Sequence, residues 1–248
     1  MLNDTQLHCH THGSNLRMLD CIIKTKDLID RAIELDMKAV AITDHASISE
    51  AITAIKYSKE LQNKGEDIKV LIGDEIYVVD DVNEVKENYI SRETKFYHFI
   101  LIAKDKIGFD QLREINAVGW QSSFFTGKMR RVPNDKKQIE NIIKNNKGHL
   151  LASTACIGGE FASQFLKGEI NKSIEFFNWC VTTFGKDNFA IEIQPSINTD
   201  QIRFNKWAYR FAKEHEVKCI STCDVHYLKK EHHDIHKAFL TSREADRG

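Results

Sequence analysis

Residues 7–14 read Leu7-His8-Cys9-His10-Thr11-His12-Gly13-Ser14. The three histidines alternate at period two, so an extended backbone turns all three imidazoles to one face. Imidazoles crowded on one face repel one another when protonated and need something that neutralises or ligates them. Neutral imidazole is the commonest metal ligand, so the pattern reads as a metal site. A surface histidine run is the alternative. The rest of the chain weighs against it, because matching ligand types recur at the ends of other predicted strands.

Outward from that stretch, residues 38–43 form a short apolar run that stops at Asp44-His45. Residues 69–79 predict a strand with Gly73-Asp74-Glu75 in its middle, and further strands fall at 98–104, 149–154, 189–194 and 217–222. The strand at 149–154 runs into Ala155-Cys156, and the last leads into Cys223-Asp224-Val225-His226. Helical spacing of apolar residues covers 25–36, 47–62, 109–120, 136–146, 160–166, 170–184, 199–215 and 230–242. Residues 83–95 read as a polar loop, and 121–135 is the least regular segment. Seven strands alternating with helices argue for parallel βα units, and strands apolar throughout fit a sheet covered on both faces. The expected architecture is α/β: a closed, distorted seven-stranded (β/α)7 barrel, with an open doubly wound sheet as the alternative. In a barrel, functional groups gather at the carboxyl ends of the strands. His10, His12, His45, Cys156, Asp224 and His226 all fall there.

Length and composition set bounds around this reading. The 248 residues are 42% hydrophobic and 29% charged, an ordinary globular mix, and predict one domain over 1–248 with a barrel core at about 5–228 and a terminal helix at about 230–242. A net charge of −1 excludes a molecule that is basic all over, so any nucleic-acid contact must be local. No apolar run approaches a membrane span, and residues 1–6 are no signal sequence. The six scattered cysteines suit reduced thiols and a cytoplasmic setting, with no membrane partner.

Taken singly, the signals differ in weight. Asp44-His45 could also cap a helix. Glu75 is stronger, because a carboxylate in an apolar strand is costly to bury unless paired or metal-bound. Asp224 and His226 share a face at period two, as His10 and His12 do. Cys156 alone carries little, since free cysteines are mostly buried hydrophobes. His232 and His236 stand at i, i+4 in the last helix without a third ligand, so a solvated helix face is expected there. Phe124, Phe125, Lys128, Arg130 and Arg131 could stack a base and hold phosphates, or form a solvated basic loop beside a core pair of phenylalanines.

Six motifs occur in order: Leu-His-Cys-His-Thr-His, Ala-Ile-Thr-Asp-His, Ile-Gly-Asp-Glu-Ile-Tyr-Val, Tyr-His-Phe-Ile-Leu-Ile-Ala-Lys, Cys-Ile-Gly-Gly-Glu and Cys-Asp-Val-His-Tyr-Leu. Together they resemble the polymerase and histidinol phosphatase (PHP) domain, in the version found at the amino terminus of bacterial DNA polymerase III alpha subunits. The resemblance spans about 5–240. It implies a distorted barrel holding two to three divalent metals, zinc, iron or manganese. The implied ligands are His10, His12, Asp20, His45, Glu75 as a bridging carboxylate, His98, Cys156, Asp224 and His226. His8 and Asp44 are implied beside the metals as orienting groups, and Glu75, Asp224 and His226 as catalytic residues. His98 opens its predicted strand, an end that lies away from the site in a simple parallel barrel; a strand that runs irregularly would reconcile it. Three carboxylates and a thiolate against three divalent ions leave an excess of about two positive charges to meet a phosphate. The implied function is metal-dependent phosphoester hydrolysis, foremost a 3′→5′ exonuclease of the proofreading type acting on a DNA 3′ end. The alternatives are a phosphomonoesterase of histidinol-phosphatase type and a structural module docking polymerase or replisome subunits. The stretch after His226 is too short for a polymerase palm, so a free-standing, split-gene or excised domain is expected.

Overall fold

The strands form where apolar and β-branched residues run together: β1 (Thr5–Gln6), β2 (Ala39–Ile42), β3 (Lys69–Val79), β4 (Tyr97–Ala103), β5 (Phe124–Thr126), β6 (Met129–Arg131), β7 (Pro133–Asp135), β8 (Leu150–Ser153), β9 (Phe189–Ile193) and β10 (Lys218–Ser221). They are seen in a computed structural model that describes residues 5–91 and 93–245. Between them lie helices α1 (Thr25–Glu34), α2 (Ala51–Asn63), α3 (Val82–Glu87), α4 (Lys106–Gln121), α5 (Lys136–Ile143), α6 (Glu160–Leu166), α7 (Ile170–Phe184), α8 (Thr199–Glu214) and α9 (His233–Ala245). Side-chain oxygens start several of them. Asp81, Asp105, Asp135 and Asn198 each accept first-turn backbone N–H groups, which no carbonyl within the helix can satisfy. No described helix is long and apolar enough to cross a membrane.

The main sheet runs β1-β2-β3-β4-β8-β9-β10, with β7 added beside β3, while β5 and β6 make a separate hairpin. It curls until its outer strands meet: Cys9 and Val225 form a parallel bridge, with His10 N donating to Val225 O at 2.9 Å and Val225 N to His8 O at 3.1 Å. The expected α/β barrel with seven strands on its path is therefore what the chain builds.

The expectation of uniformly parallel strands is corrected. β4 pairs antiparallel with both β3 and β8. The connection at 80–96, which carries the six-residue α3, returns the chain at the end of the sheet where β3 finishes, so that Val78 pairs with Tyr97 as in a hairpin. Residues 83–95, read as a loop, thus begin inside α3. The irregular segment 121–135 folds into the β5–β6 hairpin followed by β7.

Period-two alternation on β3 divides the interior. Ile76 and Val78 join the large core between sheet and helices, with Phe99, Phe161, Phe176, Phe189 and Phe204. Each such side chain contributes about 1.5–3 kcal/mol by leaving water. Glu75 and Tyr77 turn the other way, to the inside of the curled sheet, above a small cluster of Ala41, Ile100, Ile102 and Ala155. The large outer core holds the sheet in place around a polar interior that could not organise itself.

Candidate metal centre

The antiparallel β4 explains His98. Reversal brings its first residues level with the far half of β3, where Tyr77 pairs with His98. The bridge between His45 and Glu75 sets the end of β2 at the same height. His8 and His10 arrive from the extension of β1, and Asp224 and His226 from that of β10, across the seam.

Glu75 lies at the centre, with no exposed surface. Its Oε2 is 2.6 Å from His45 Nδ1, 3.3 Å from His10 Nε2 and 3.7 Å from His8 Nε2, and its Oε1 is 2.5 Å from His98 Nδ1. Asp20 Oδ2 lies between His45 Nε2 at 2.8 Å and His226 Nε2 at 2.9 Å. Asp224 Oδ1 is 3.0 Å from His10 Nε2 and 3.2 Å from His8 Nε2. Cys156 Sγ sits 3.6 Å from His98 Nδ1. Three sets of donors close to within 4.8 Å among the described residues: His10, His45 and His226; His8, His10 and Glu75; His45, Glu75 and His98.

Both Glu75 oxygens and His8 Nε2 are buried without a hydrogen-bond partner of sound geometry. A buried polar atom left so costs about 1–3 kcal/mol, and more when charged. Imidazole nitrogens that converge at these distances on a carboxylate left unsatisfied fit a cation placed among them. Imidazole, carboxylate and thiolate together are the donor set of a transition metal rather than magnesium.

The electrostatics tell the same story. Burial opposes charge on His45, yet Glu75 and Asp20 outweigh it and push its pKa up to about 9. Burial likewise opposes charge on His8, and Glu192, Asp224 and Glu75 hold its pKa well above the ordinary value. His10, buried and beside His45, is pushed down to about 3. Burial would raise Glu75, but His98, His45 and His8 hold it well below the carboxylate range. A buried excess of carboxylate draws protons onto neighbouring imidazoles, and a divalent ion would displace those protons.

Supporting groups fix the rings. Asp44 accepts from Thr11 N at 2.5 Å, Thr11 Oγ1 at 2.7 Å and Ser14 Oγ at 2.8 Å, and burial pushes its pKa up. Ser14 Oγ in turn meets His10 Nδ1 at 3.3 Å. A Cβ at Gly13 would run into the Asp44 carboxylate, so only glycine lets the loop close over it. Asp44 thus stands where an orienting group is expected.

The remaining candidate residues lie at different distances from this centre. His8 reaches the centre itself, its Nδ1 held 2.7 Å from Glu192 Oε1. His12 does not reach it: Thr11 caps a short 3-10 turn over His12–Leu16, and the His12 ring, 47% exposed, turns to Glu50 at 3.5 Å. The chain leaves the extended conformation one residue too early for a three-histidine face. The His236 ring is half-buried on an otherwise largely exposed helix face, its Nε2 2.8 Å from the Asp20 carbonyl oxygen. Glu192, absent from the residues singled out by sequence, is buried in β9 and also accepts from Ser153 at 2.8 Å and Thr222 at 2.6 Å. Its signal was the one that marked Glu75, a carboxylate inside an apolar run.

A cavity of about 430 Å³ opens over the centre, lined by Asp20, His45, His98, Asp224 and His226 and walled by Arg17, Tyr77, Phe96, Met129 and Arg131. The candidate strand-binding residues divide across the hairpin. Phe124 and Arg131 form one cross-strand pair, packed with Tyr89 and Phe96. Phe125 and Arg130 form the next pair, on the opposite face, with Arg130 over the exposed Phe125 ring. Lys128 stands exposed in the turn.

With this geometry in view, comparison with known proteins adds the following. The chain is 40% identical over 257 aligned residues to a DNA-directed DNA polymerase of Bacillus phage SPbeta, covering 97% of this chain and 20% of that protein. It is 30% identical over 240 residues to the DNA polymerase III subunit alpha of Aquifex aeolicus (strain VF5), covering 94% and 19%. The chain thus spans about a fifth of the length of these relatives. A solved structure from Bifidobacterium adolescentis, described as a metal-dependent phosphoesterase, shares the fold with a TM-score of 0.54 at 14% identity, covering 93% of this chain and 90% of the other. The PHP domain family model matches residues 6–196, and the chain belongs to the PHP domain family.

Proposed function

We propose that this domain is a metal-dependent phosphoesterase that acts on a DNA 3′ end as a 3′→5′ exonuclease. The observation that carries the reading is Glu75: a fully buried carboxylate with both oxygens unbonded, ringed by His8, His10, His45 and His98, beneath a cavity with arginines in its wall. The named polymerase relatives support DNA over a small ester.

Asp20, His10, His45, Glu75, His98, Cys156, Asp224 and His226 would hold two to three divalent ions, with zinc, iron or manganese suited to the donors. His8 has the geometry to join them, and His12 would do so only by leaving Glu50. Bound there, such ions lower the pKa of water and neutralise phosphoryl oxygens. The chain's own groups supply the rest. Glu75 fixes the floor of the site. Asp224, its side chain 23% exposed at the rim, takes the proton of the attacking water. His226, its Nδ1 2.9 Å from the Asp224 carbonyl oxygen, keeps that loop and its carboxylate in place. The polymerase or replisome subunits that surround such a domain are the proposed partners.

The test joins elemental analysis to digestion of an end-labelled oligonucleotide. We expect two to three transition metals per chain and stepwise loss of nucleotides from the 3′ end. Less than about one metal per chain after gentle purification would sink the metal reading. Hydrolysis of histidinol phosphate with none of DNA would move the domain to the monoesterase class.

A further inference from the structure

Two arginines in the cavity wall are held in an unusual way. The Arg17 guanidinium carbon stands 4.2 Å from the Tyr77 ring centroid, and the group donates to the Tyr77 hydroxyl. That hydroxyl is 3.0 Å from His45 Nδ1, so Arg17 stands one side chain away from the centre. Its Nε is buried and has no hydrogen-bond partner. Arg131 donates to Thr126 Oγ1 at 2.9 Å and to Tyr89 OH at 3.4 Å, and covers the Phe96 ring at 5.0 Å. Among the described residues neither guanidinium has a carboxylate within ion-pair distance, although Arg31, Arg113 and Arg203 each have one. Both are positioned by neutral hydroxyls and aromatic faces, which fix a guanidinium without neutralising it. A guanidinium fixed in this way, beside acidic residues it does not pair with, is set to meet an anion that arrives from outside.

We infer that Arg17 and Arg131 form a two-point phosphate clamp. Arg17 engages the phosphate under attack, and Arg131 engages the next phosphate along the strand. The inference rests on the phosphoesterase reading and narrows its substrate to a phosphodiester bearing at least one further phosphate. Arg17 takes the inner position because Tyr77 ties it to His45. Arg131 takes the outer one because it stands on the hairpin, where Phe96 and Met129 leave an apolar wall for a base or sugar.

The test compares the full chain with Arg17→Met, Arg17→Lys and Arg131→Ala, using Arg203→Ala, an exposed residue of α8 outside the cavity lining, as the control. Three substrates are used: bis(p-nitrophenyl) phosphate with one phosphate, thymidylyl-thymidine with one, and its 5′-phosphorylated form with two. A charge-assisted hydrogen bond contributes about 1.5–3 kcal/mol, so loss of one predicts roughly a 10- to 100-fold fall in kcat/KM. Arg17→Met should show that fall on all three substrates, and Arg17→Lys a smaller one. Arg131→Ala should lose at least about tenfold more on the two-phosphate dinucleotide than on either single-phosphate ester. Binding of a fluorescent oligonucleotide to chelator-treated protein gives a second readout. Arg17→Met and Arg131→Ala should each reduce the magnitude of the salt slope by about 0.7, as expected for one lost phosphate contact to a single strand, while Arg17→Lys and Arg203→Ala leave it unchanged. Metal content and thermal midpoint, measured alongside, separate a misfolded variant from a clamp variant.

Equal losses for Arg131→Ala on one- and two-phosphate substrates, or an unchanged salt slope, overturn the clamp. A parent protein that cleaves none of the diesters overturns the phosphoesterase reading instead.

Discussion

Three residues that border the metal centre hold left-handed backbone: Ala46 with φ 48°, Ala155 with φ 57° and Asp224 with φ 50°. That region costs a residue with a side chain about 1–2 kcal/mol, and it gathers where surrounding structure overrides preference. Ala46 follows His45, Ala155 precedes Cys156, and Asp224 is itself a candidate ligand, so each turn aims a donor inward. Trp120 Nε1 donates to the Ala46 carbonyl oxygen at 2.7 Å and helps to offset one of them. Glu192 acts at the same scale by fixing which nitrogen of His8 faces the centre. Glu192→Ala should therefore lower metal affinity about 10- to 100-fold, read by competition with a chelator. Unaltered retention would mean that His8 is oriented by something else. Asp74 gives a pH signature. Burial pushes its carboxyl up to about 7, although Asn116 and Ser47 donate to it. A raised carboxyl binds its proton more tightly folded than unfolded, so its contribution is full below about pH 4 and lost as pH rises through 7. Each tenfold difference in proton affinity between the folded and unfolded chain is about 1.4 kcal/mol, so the decline amounts to a few kcal/mol. Asp74→Asn in chelated protein should flatten the fall in thermal midpoint between about pH 4 and 7, and parallel curves for the two proteins would count against it.

At the scale of elements, the sequence was legible where its signals were local. The helices, the apolar strands and the ends at Asp44-His45 and Asp224-Val225-His226 follow from periodicity and from polar residues that halt an apolar run. What escaped depends on distant partners. The period-two histidines predict one straight face, but Asp44, more than thirty residues on, grips Thr11 and Ser14 and bends the chain before His12. The reversal of β4 lies in its register with β3 and β8 and not in any residue of the strand. The division of Arg130 from Arg131 needs a hairpin register that a basic loop does not display. That register turns on Gly127, whose φ of 62° opens the two-residue turn between Thr126 and Met129. A valine there would strain the turn by about 1–2 kcal/mol. Gly127→Val should loosen the hairpin and weaken oligonucleotide binding while metal content holds. A variant that binds DNA as tightly as the parent would remove the hairpin from the substrate path.

Across the whole molecule, the interior collects acids and imidazoles that the large outer core forces together. Ions that bind the folded state alone stabilise it in proportion to the logarithm of their excess, about 2.7 kcal/mol at a hundredfold excess over Kd. For a chain of this size, removing them with a chelator should lower the thermal midpoint by roughly 5–10 °C, and adding zinc or manganese should restore it. Calorimetry that shows no shift would deny the centre any ion in the folded state.

The seam of the sheet has a mechanical meaning. β3 and β4 are zipped by six registered pairs, whereas among the described residues the extensions of the first and last strands meet through one bridge, Cys9–Val225. Candidate ligands flank that bridge on both sides, His8 and His10 on one strand, Asp224 and His226 on the other. The clasp that shuts the barrel and the candidate metal ligands lie on the same few residues, so opening the seam would scatter the ligands while most of the fold stood unchanged.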